Sequence, residues 1–285
     1  MRPEAGTVTF GPSSDHPLIV NRLGYGAMRI TGPGIWGDPA DPAGAVALLR
    51  RAVEIGVDFI DTADSYGPFV SEDLLREALH PYDGVLVATK GGLTRQGPDQ
   101  WHSVGVPKYL RQCVEMSLRR LDVERIDLWQ LHRIDPTVPW EEQAGVIADM
   151  VSEGKIGHVG LSEVSVEQVE QFATVVPIVS VQNLYNVTNR QSEALVDHCE
   201  ATNRVFIPWF PVGAGPLARV GGPLDEIAAA AGVTASQAAL AWLLARSPLV
   251  APIPGTSSVA HLEENMASAS VVLTPEVLSA LDALV

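Results

Sequence analysis

A chain of 285 residues with 46% hydrophobic and 19% charged positions can bury a large core and is unlike a disordered polymer. A formal net charge of −15 argues against a nucleic-acid or anionic-membrane surface, because neither offers a polyanion a favourable field. Two cysteines, Cys113 and Cys199, with no C-x-x-C pair and no Cys/His cluster, argue against a disulfide framework or a metal site. The N-terminal stretch lacks an apolar signal core and no run of eighteen apolar residues occurs, so the expectation is one soluble, cytoplasmic domain spanning 1–285.

In chain order, a small hairpin is expected at about 8–20, where two apolar runs flank a Gly-Pro-Ser-Ser-Asp turn. A repetitive pattern follows. Short apolar runs predict strands at 23–28, 58–61, 84–90, 126–132, 156–162, 178–183, 205–209 and 249–254. Helical periodicity falls between them at 43–55, 71–79, 108–121, 140–152, 166–172, 191–201, 223–231 with 235–246, and 259–267. Gly56 and Gly154 punctuate two of these helices, Ser71 and Glu72 suit a helix start, and a long loop carries Trp101 and His102. An extra helix is expected at 275–284.

Eight strand-then-helix units joined by right-handed crossovers close into an α/β (β/α)8 TIM barrel. The rival, a doubly wound open sheet, would carry a glycine fingerprint after its first strand, and 24–29 holds only part of one.

Barrel enzymes work at the C-terminal ends of their strands. Strand two ends at Asp61 with Tyr66 just beyond, strand three ends at Lys90, and strand four ends at His132. An acid, a phenol, an amine and an imidazole thus converge from neighbouring strands. The set suits proton donation to an oxygen that becomes negative. An ammonium beside a phenol is expected to lower its pKa, an acid keeps a half-buried lysine protonated, and an imidazole can hold the substrate oxygen or relay a proton. Each group singly also has a structural reading, as ion pair, core histidine or rim residue; four together at equivalent strand ends are costly without a function.

The segment Asp61-Thr62-Ala63-x-x-Tyr66-Gly67, the strand ending at Lys90, and Asp127-Leu128-Trp129-Gln130-Leu131-His132 together resemble the aldo-keto reductase superfamily, with a likeness running from about residue 23 to 265. The resemblance implies reduction of a small-molecule aldehyde or ketone with NADP(H), Tyr66 as general acid assisted by Lys90 and His132, and Asp61 paired with Lys90.

It also implies cofactor contacts. Gly26 and Met28 stand at the end of the first strand; Ser162 matches a residue that holds the nicotinamide amide, with Glu163 where the family usually has Asn; and Gln182 matches a glutamine that reaches the same amide. Trp209 stands where a stacking aromatic, commonly tyrosine, is found, and Pro211, Gly213, Gly215 and Leu217 belong to the loop over the pyrophosphate. The stretch with Gly255, Thr256, Ser257 and Ser258, followed by His261, Glu264 and Asn265, resembles the segment around the adenosine 2′-phosphate. Gly255 and His261 stand where many members carry lysine and arginine, which leaves NAD(H) use open. Trp36, Trp101 and the region of Met28 are candidate walls of the substrate pocket. Two other readings are a nicotinamide-sensing regulatory subunit with little turnover and a Schiff-base aldolase using Lys90.

Overall fold

A computed structural model describes residues 5–213 and 220–285. The chain opens on an antiparallel hairpin, β1 (Thr7–Phe10) and β2 (Leu18–Asn21), pairing Thr7 with Asn21 and Phe10 with Leu18. Val8, Phe10 and Val20 pack with Phe59, Leu86 and Val205, the first residues of three barrel strands. The hairpin therefore closes the N-terminal end of the barrel. Gly11, at φ 59°, permits its turn, and a Cβ there would lie 2.5 Å from the His158 ring.

The barrel begins at β3 (Tyr25–Gly26) and continues through α1 (Pro42–Glu54), β4 (Phe59–Asp61), α2 (Val70–Leu79) and β5 (Leu86–Gly91). A second hairpin, β6 (Leu93–Arg95) and β7 (Trp101–Ser103), precedes α3 (Pro107–Leu121). Then follow β8 (Ile126–Leu131), α4 (Trp140–Ser152), β9 (Ile156–Ser162), α5 (Val166–Ala173), β10 (Ile178–Leu184), α6 (Glu193–Ala201) and β11 (Val205–Trp209). The chain ends with α7 (Pro223–Ala230), α8 (Ala235–Arg246), α9 (Val259–Ala267) and α10 (Pro275–Asp282). Reciprocal capping boxes, Ser165 with Gln168 and Thr234 with Gln237, start α5 and α8 by satisfying amides that have no partner inside the helix.

Seven parallel strands lie in the order β11-β10-β9-β8-β5-β4-β3. The expected eighth strand, 249–254, closes the ring without being a continuous strand. Ala251 N donates to Phe206 O on β11, while Pro252 O and Pro254 O accept from Gly24 N and Gly26 N (2.9, 3.0 and 3.4 Å). Two prolines lack the N–H groups a full ladder would use, so only alternate bonds form. The first strand is also shorter than its apolar run predicts, because Ala27–Ile30 winds into a 3-10 turn whose Ala27 carbonyl accepts from Ser71 Oγ.

The core has two layers that follow strand alternation. Phe59, Leu86, Ala88, Leu128 and Ile207 fill the barrel interior. Outward-facing Trp129, Leu131, Val159 and Leu161 pack under the helices. Above the apolar interior the inward positions turn polar, and the site lies there. No single described helix is long and apolar enough to cross a membrane.

Candidate active site

Inward positions of four strands supply the floor: Asp61 from β4, Lys90 from β5, Gln130 from β8 and Gln182 from β10. Lys90 is fully buried and spends its ammonium protons on Asp61 Oδ2 (2.6 Å), the Thr62 carbonyl (2.9 Å) and the Tyr66 hydroxyl (3.1 Å). The other Asp61 oxygen, Oδ1, accepts from Gln130 Nε2 (2.9 Å) and Gln182 Nε2 (2.8 Å), and Gln182 also donates to Gln130 Oε1 (3.1 Å). A buried ion pair persists only when its remaining valences are filled, and here both partners are saturated.

Tyr66 stands above this floor on the β4–α2 loop. His132 meets it edge-on with ring centroids 5.8 Å apart, and Trp101 closes a third side, 6.4 Å from each. Ser65 Oγ lies 3.2 Å from His132 Nδ1. These groups open into a cavity of about 870 Å³, a size suited to a small-molecule ligand.

The long loop expected around Trp101 is instead the β6–β7 hairpin, and Arg95 is the physical reason. Its guanidinium stacks 3.5 Å from the Trp101 ring centroid and donates to the carbonyls of Gly34, Ile35, Ser65 and Gln100, each at 2.8–2.9 Å. One side chain thus ties the hairpin to two loops of the mouth and places Trp101 on the cavity wall. Trp36 is not on that wall; it lies outside the lining, its ring centroid 5.8 Å from the Arg95 guanidinium.

Burial and charge set the protonation states. Burial raises the Tyr66 phenol, and the opposing Lys90 charge and hydrogen bond do not offset it. The lowering expected from a neighbouring ammonium is therefore outweighed in the closed pocket. Burial by itself would discharge Lys90, but the Asp61 charge and hydrogen bond win and hold its pKa above the ordinary value. His132 is pushed well below the ordinary imidazole range by burial and by the positive charges of Lys90, Arg133 and Arg95, so it is neutral. Ser65 Oγ would donate to Nδ1 in the tautomer that carries the ring proton on Nε2.

The positions expected to meet a cofactor divide into two groups. Gly26, Met28, Ser162, Gln182, Trp209, Pro211 and Gly255 line the cavity together with the reactive residues. Thr256, Ser257, Ser258, His261, Glu264, Asn265 and Gly213 do not; the first six continue from its Gly255 edge into α9. Within that segment Ser258 Oγ caps α9, Thr256 Oγ1 accepts from Ser258 N (3.0 Å), Asn265 is buried, and Glu264 Oε1 accepts from Thr234 Oγ1 (2.6 Å). Gly215 and Leu217 lie outside the described residues.

Two departures from the family pattern turn out to be partners. Glu163 occupies a left-handed conformation (φ 56°) in which asparagine is well tolerated, and its Oε1 accepts from the indole Nε1 of Trp209 (2.6 Å) and from Leu184 N (2.7 Å). The longer acid thus steadies the larger aromatic. Sequence reasoning passed over Gln130, Ser65, Arg95 and Arg133. Gln130 had a signal, a polar side chain at an inward position between Leu128 and His132; Arg95 had none, because only folding brings it to residues 30 and more positions away.

A parallel barrel with a buried acid–lysine pair, a phenol and an imidazole gathered at its C-terminal mouth is a (β/α)8 protein whose candidate site lies where barrel enzymes carry theirs. Residues 22–285 match the family model "Aldo/keto reductase family", and the chain belongs to that family. It is 53% identical to an uncharacterized oxidoreductase of Schizosaccharomyces pombe (98% of this chain, 90% of the relative) and 41% identical to the pyridoxine 4-dehydrogenase of Escherichia coli (98% of each). An aldo-keto reductase from Klebsiella pneumoniae, solved in complex with NADPH, superposes with a TM-score of 0.81 at 26% identity, covering 98% of this chain and 94% of that one.

Proposed function

We propose that this protein reduces an aldehyde or ketone to an alcohol with NADPH, and that Tyr66 delivers the proton. The observation that carries the reading is the Tyr66 hydroxyl 3.1 Å from a Lys90 ammonium that Asp61 keeps charged. When bound, the nicotinamide supplies the hydride. The Tyr66 hydroxyl and the Nε2–H of neutral His132 together donate to a carbonyl oxygen held between them, and as charge grows on that oxygen the phenolic proton transfers to it. Lys90 then faces a phenolate, so its interaction is strongest when the reaction is furthest along. The phenol pKa, raised by burial, suits this order, keeping the proton on Tyr66 until it is needed.

The lining fits a nicotinamide. Arg133 donates to Ser162 Oγ, so the hydroxyl proton remains available to a carboxamide oxygen. Gln182 has its amide nitrogen engaged by Asp61 and Gln130, which leaves its carbonyl oxygen for a carboxamide N–H. The Trp209 indole, held by Glu163, supplies a stacking face. The 255–265 segment, entered past Gly255, would receive the adenosine 2′-phosphate on Thr256, Ser257, Ser258 and the start of α9.

A Schiff-base role suits Lys90 poorly, because its amine is charged, fully buried and committed to three acceptors. A nucleotide sensor would have little use for a complete proton-transfer set. The test is NADPH and NADH oxidation with a panel of aldehydes and ketones that includes pyridoxal, the aldehyde suggested by the name of the Escherichia coli relative. Turnover is expected with NADPH and is expected to fall about 10²–10⁴-fold in Tyr66→Phe with NADPH binding retained. Tight NADPH binding without oxidation of any panel member would favour the sensor.

A further inference from the structure

Of the cations around the cavity, Lys90 is neutralised by Asp61, Arg95 is spent on five main-chain carbonyls with Asp99 in its field, and Arg29 is exposed beside Gly255. Arg133 is different. It follows His132 directly beyond the end of β8, lines the cavity, and forms no ion pair among the described residues. Its hydrogen bonds come from Nη1 alone, to the His132 carbonyl (2.6 Å) and Ser162 Oγ (3.0 Å). The acid whose charge reaches it, Glu163, has its Oε1 occupied by Trp209 and Leu184. In a chain of net charge −15, this leaves a partly buried guanidinium whose Nε and Nη2 have no protein acceptor among the described residues and are free to meet a ligand's negative charge.

We propose that Arg133 recognises substrate: its unengaged Nε and Nη2 edge receives an anionic oxygen, a carboxylate or an ionised phenol, carried beside the reacting carbonyl. The inference rests on the carbonyl reduction proposed above. Tyr66 and Trp101 would flank such a ligand, so the substrate class is a planar aldehyde with an acidic group adjacent to it. A fork of parallel N–H donors matches a carboxylate bidentately, which a lysine would not do.

The experiment compares kcat/KM for 2-carboxybenzaldehyde, 2-hydroxybenzaldehyde and benzaldehyde with NADPH, in the wild type, Arg133→Gln and Arg133→Lys. The wild type should prefer the two acidic aldehydes, and for the phenol the preference should grow as rising pH ionises it. Preference confined to one of the two acidic compounds identifies which oxygen the site takes. The ratio of acidic to neutral substrate should fall about 10- to 100-fold in Arg133→Gln and by less in Arg133→Lys. Equal losses on all three aldehydes, no preference in the wild type, or a loss of NADPH affinity matching the catalytic loss would each overturn the proposal. Benzoate and benzyl alcohol titrations, read by tryptophan fluorescence, need no turnover. Benzoate binding that weakens at least tenfold in Arg133→Gln, with benzyl alcohol little changed, would support the anion site even if no aldehyde is reduced, the result that would defeat the reductase reading; benzoate binding indifferent to Arg133 would defeat the anion site. Should Arg133→Gln not fold, the Arg133→Lys ratio decides, a preference equal to wild type counting against the proposal.

Discussion

At the cavity floor, Asp61, Lys90, Gln130 and Gln182 satisfy one another at 2.6–3.1 Å from four different strands, and all are buried. Along 255–265 the polar groups are mostly exposed or occupied locally, Ser258 capping its own helix and Glu264 accepting from Thr234. The floor holds its charges before any ligand arrives, whereas the outer segment would meet a phosphate with hydroxyls and amides and no lysine or arginine of its own. Chemistry that stabilises a transient charge needs the first arrangement, because reorganisation during the reaction is what preorganised dipoles avoid. Ground-state binding of a solvated phosphate tolerates the second.

The contrast breaks most visibly at Lys90. Lys90→Met leaves the Asp61 carboxylate buried with only two amide donors, and a loss of about 3–5 kcal/mol in stability is expected from urea unfolding. The double variant Asp61→Asn, Lys90→Met removes both charges and should recover part of that loss; a double variant no more stable than Lys90→Met would show that packing, not charge, is what Lys90 contributes.

A smaller effect is expected from Asp64, in the loop between Asp61 and Tyr66. Burial, with the nearby Glu72 charge, pushes its carboxyl up to about 8, and its Oδ1 has no hydrogen-bond partner. Its folded pKa exceeds the unfolded one, so the folded chain binds the extra proton in between. The contribution is complete below about pH 4 and is lost progressively as pH rises to about 8. His132, whose folded pKa is depressed, acts with the opposite sign and only as pH falls through the ordinary imidazole value near 6.5. Between pH 6.5 and 8, stability should therefore decline with pH in the wild type and be flatter in Asp64→Asn; parallel slopes would place the Asp64 proton elsewhere.

The smallest effect belongs to the outer segment. His261→Arg adds an exposed cation and should tighten NADPH about two- to fivefold without tightening NADH, as read by fluorescence titration. Equal gains for both nucleotides would mean that position 261 does not meet the 2′-phosphate. The same repair is not open at Gly255, where a Cβ would sit 2.7 Å from the Gly26 carbonyl.

Much of this was legible in the sequence because it is periodic or local. Alternation of apolar residues marked the strands, helical spacing marked what lies between them, and strand ends nominated Asp61, Lys90 and His132 as neighbours. Alternation, applied further, also nominates Gln130. Tertiary structure decided what depends on distance and on competition between energies. Pro252 and Pro254 close the ring through carbonyls alone, and Arg95 turns an apparent loop into a wall. The Tyr66 phenol is raised because burial outweighs Lys90, a balance that no list of neighbours supplies. Glu163 and Trp209 read as two unrelated departures until a 2.6 Å hydrogen bond joins them across 46 positions of sequence. Residue type and spacing set which groups reach the mouth; desolvation and contact geometry, which exist only once the barrel closes, set what those groups do there.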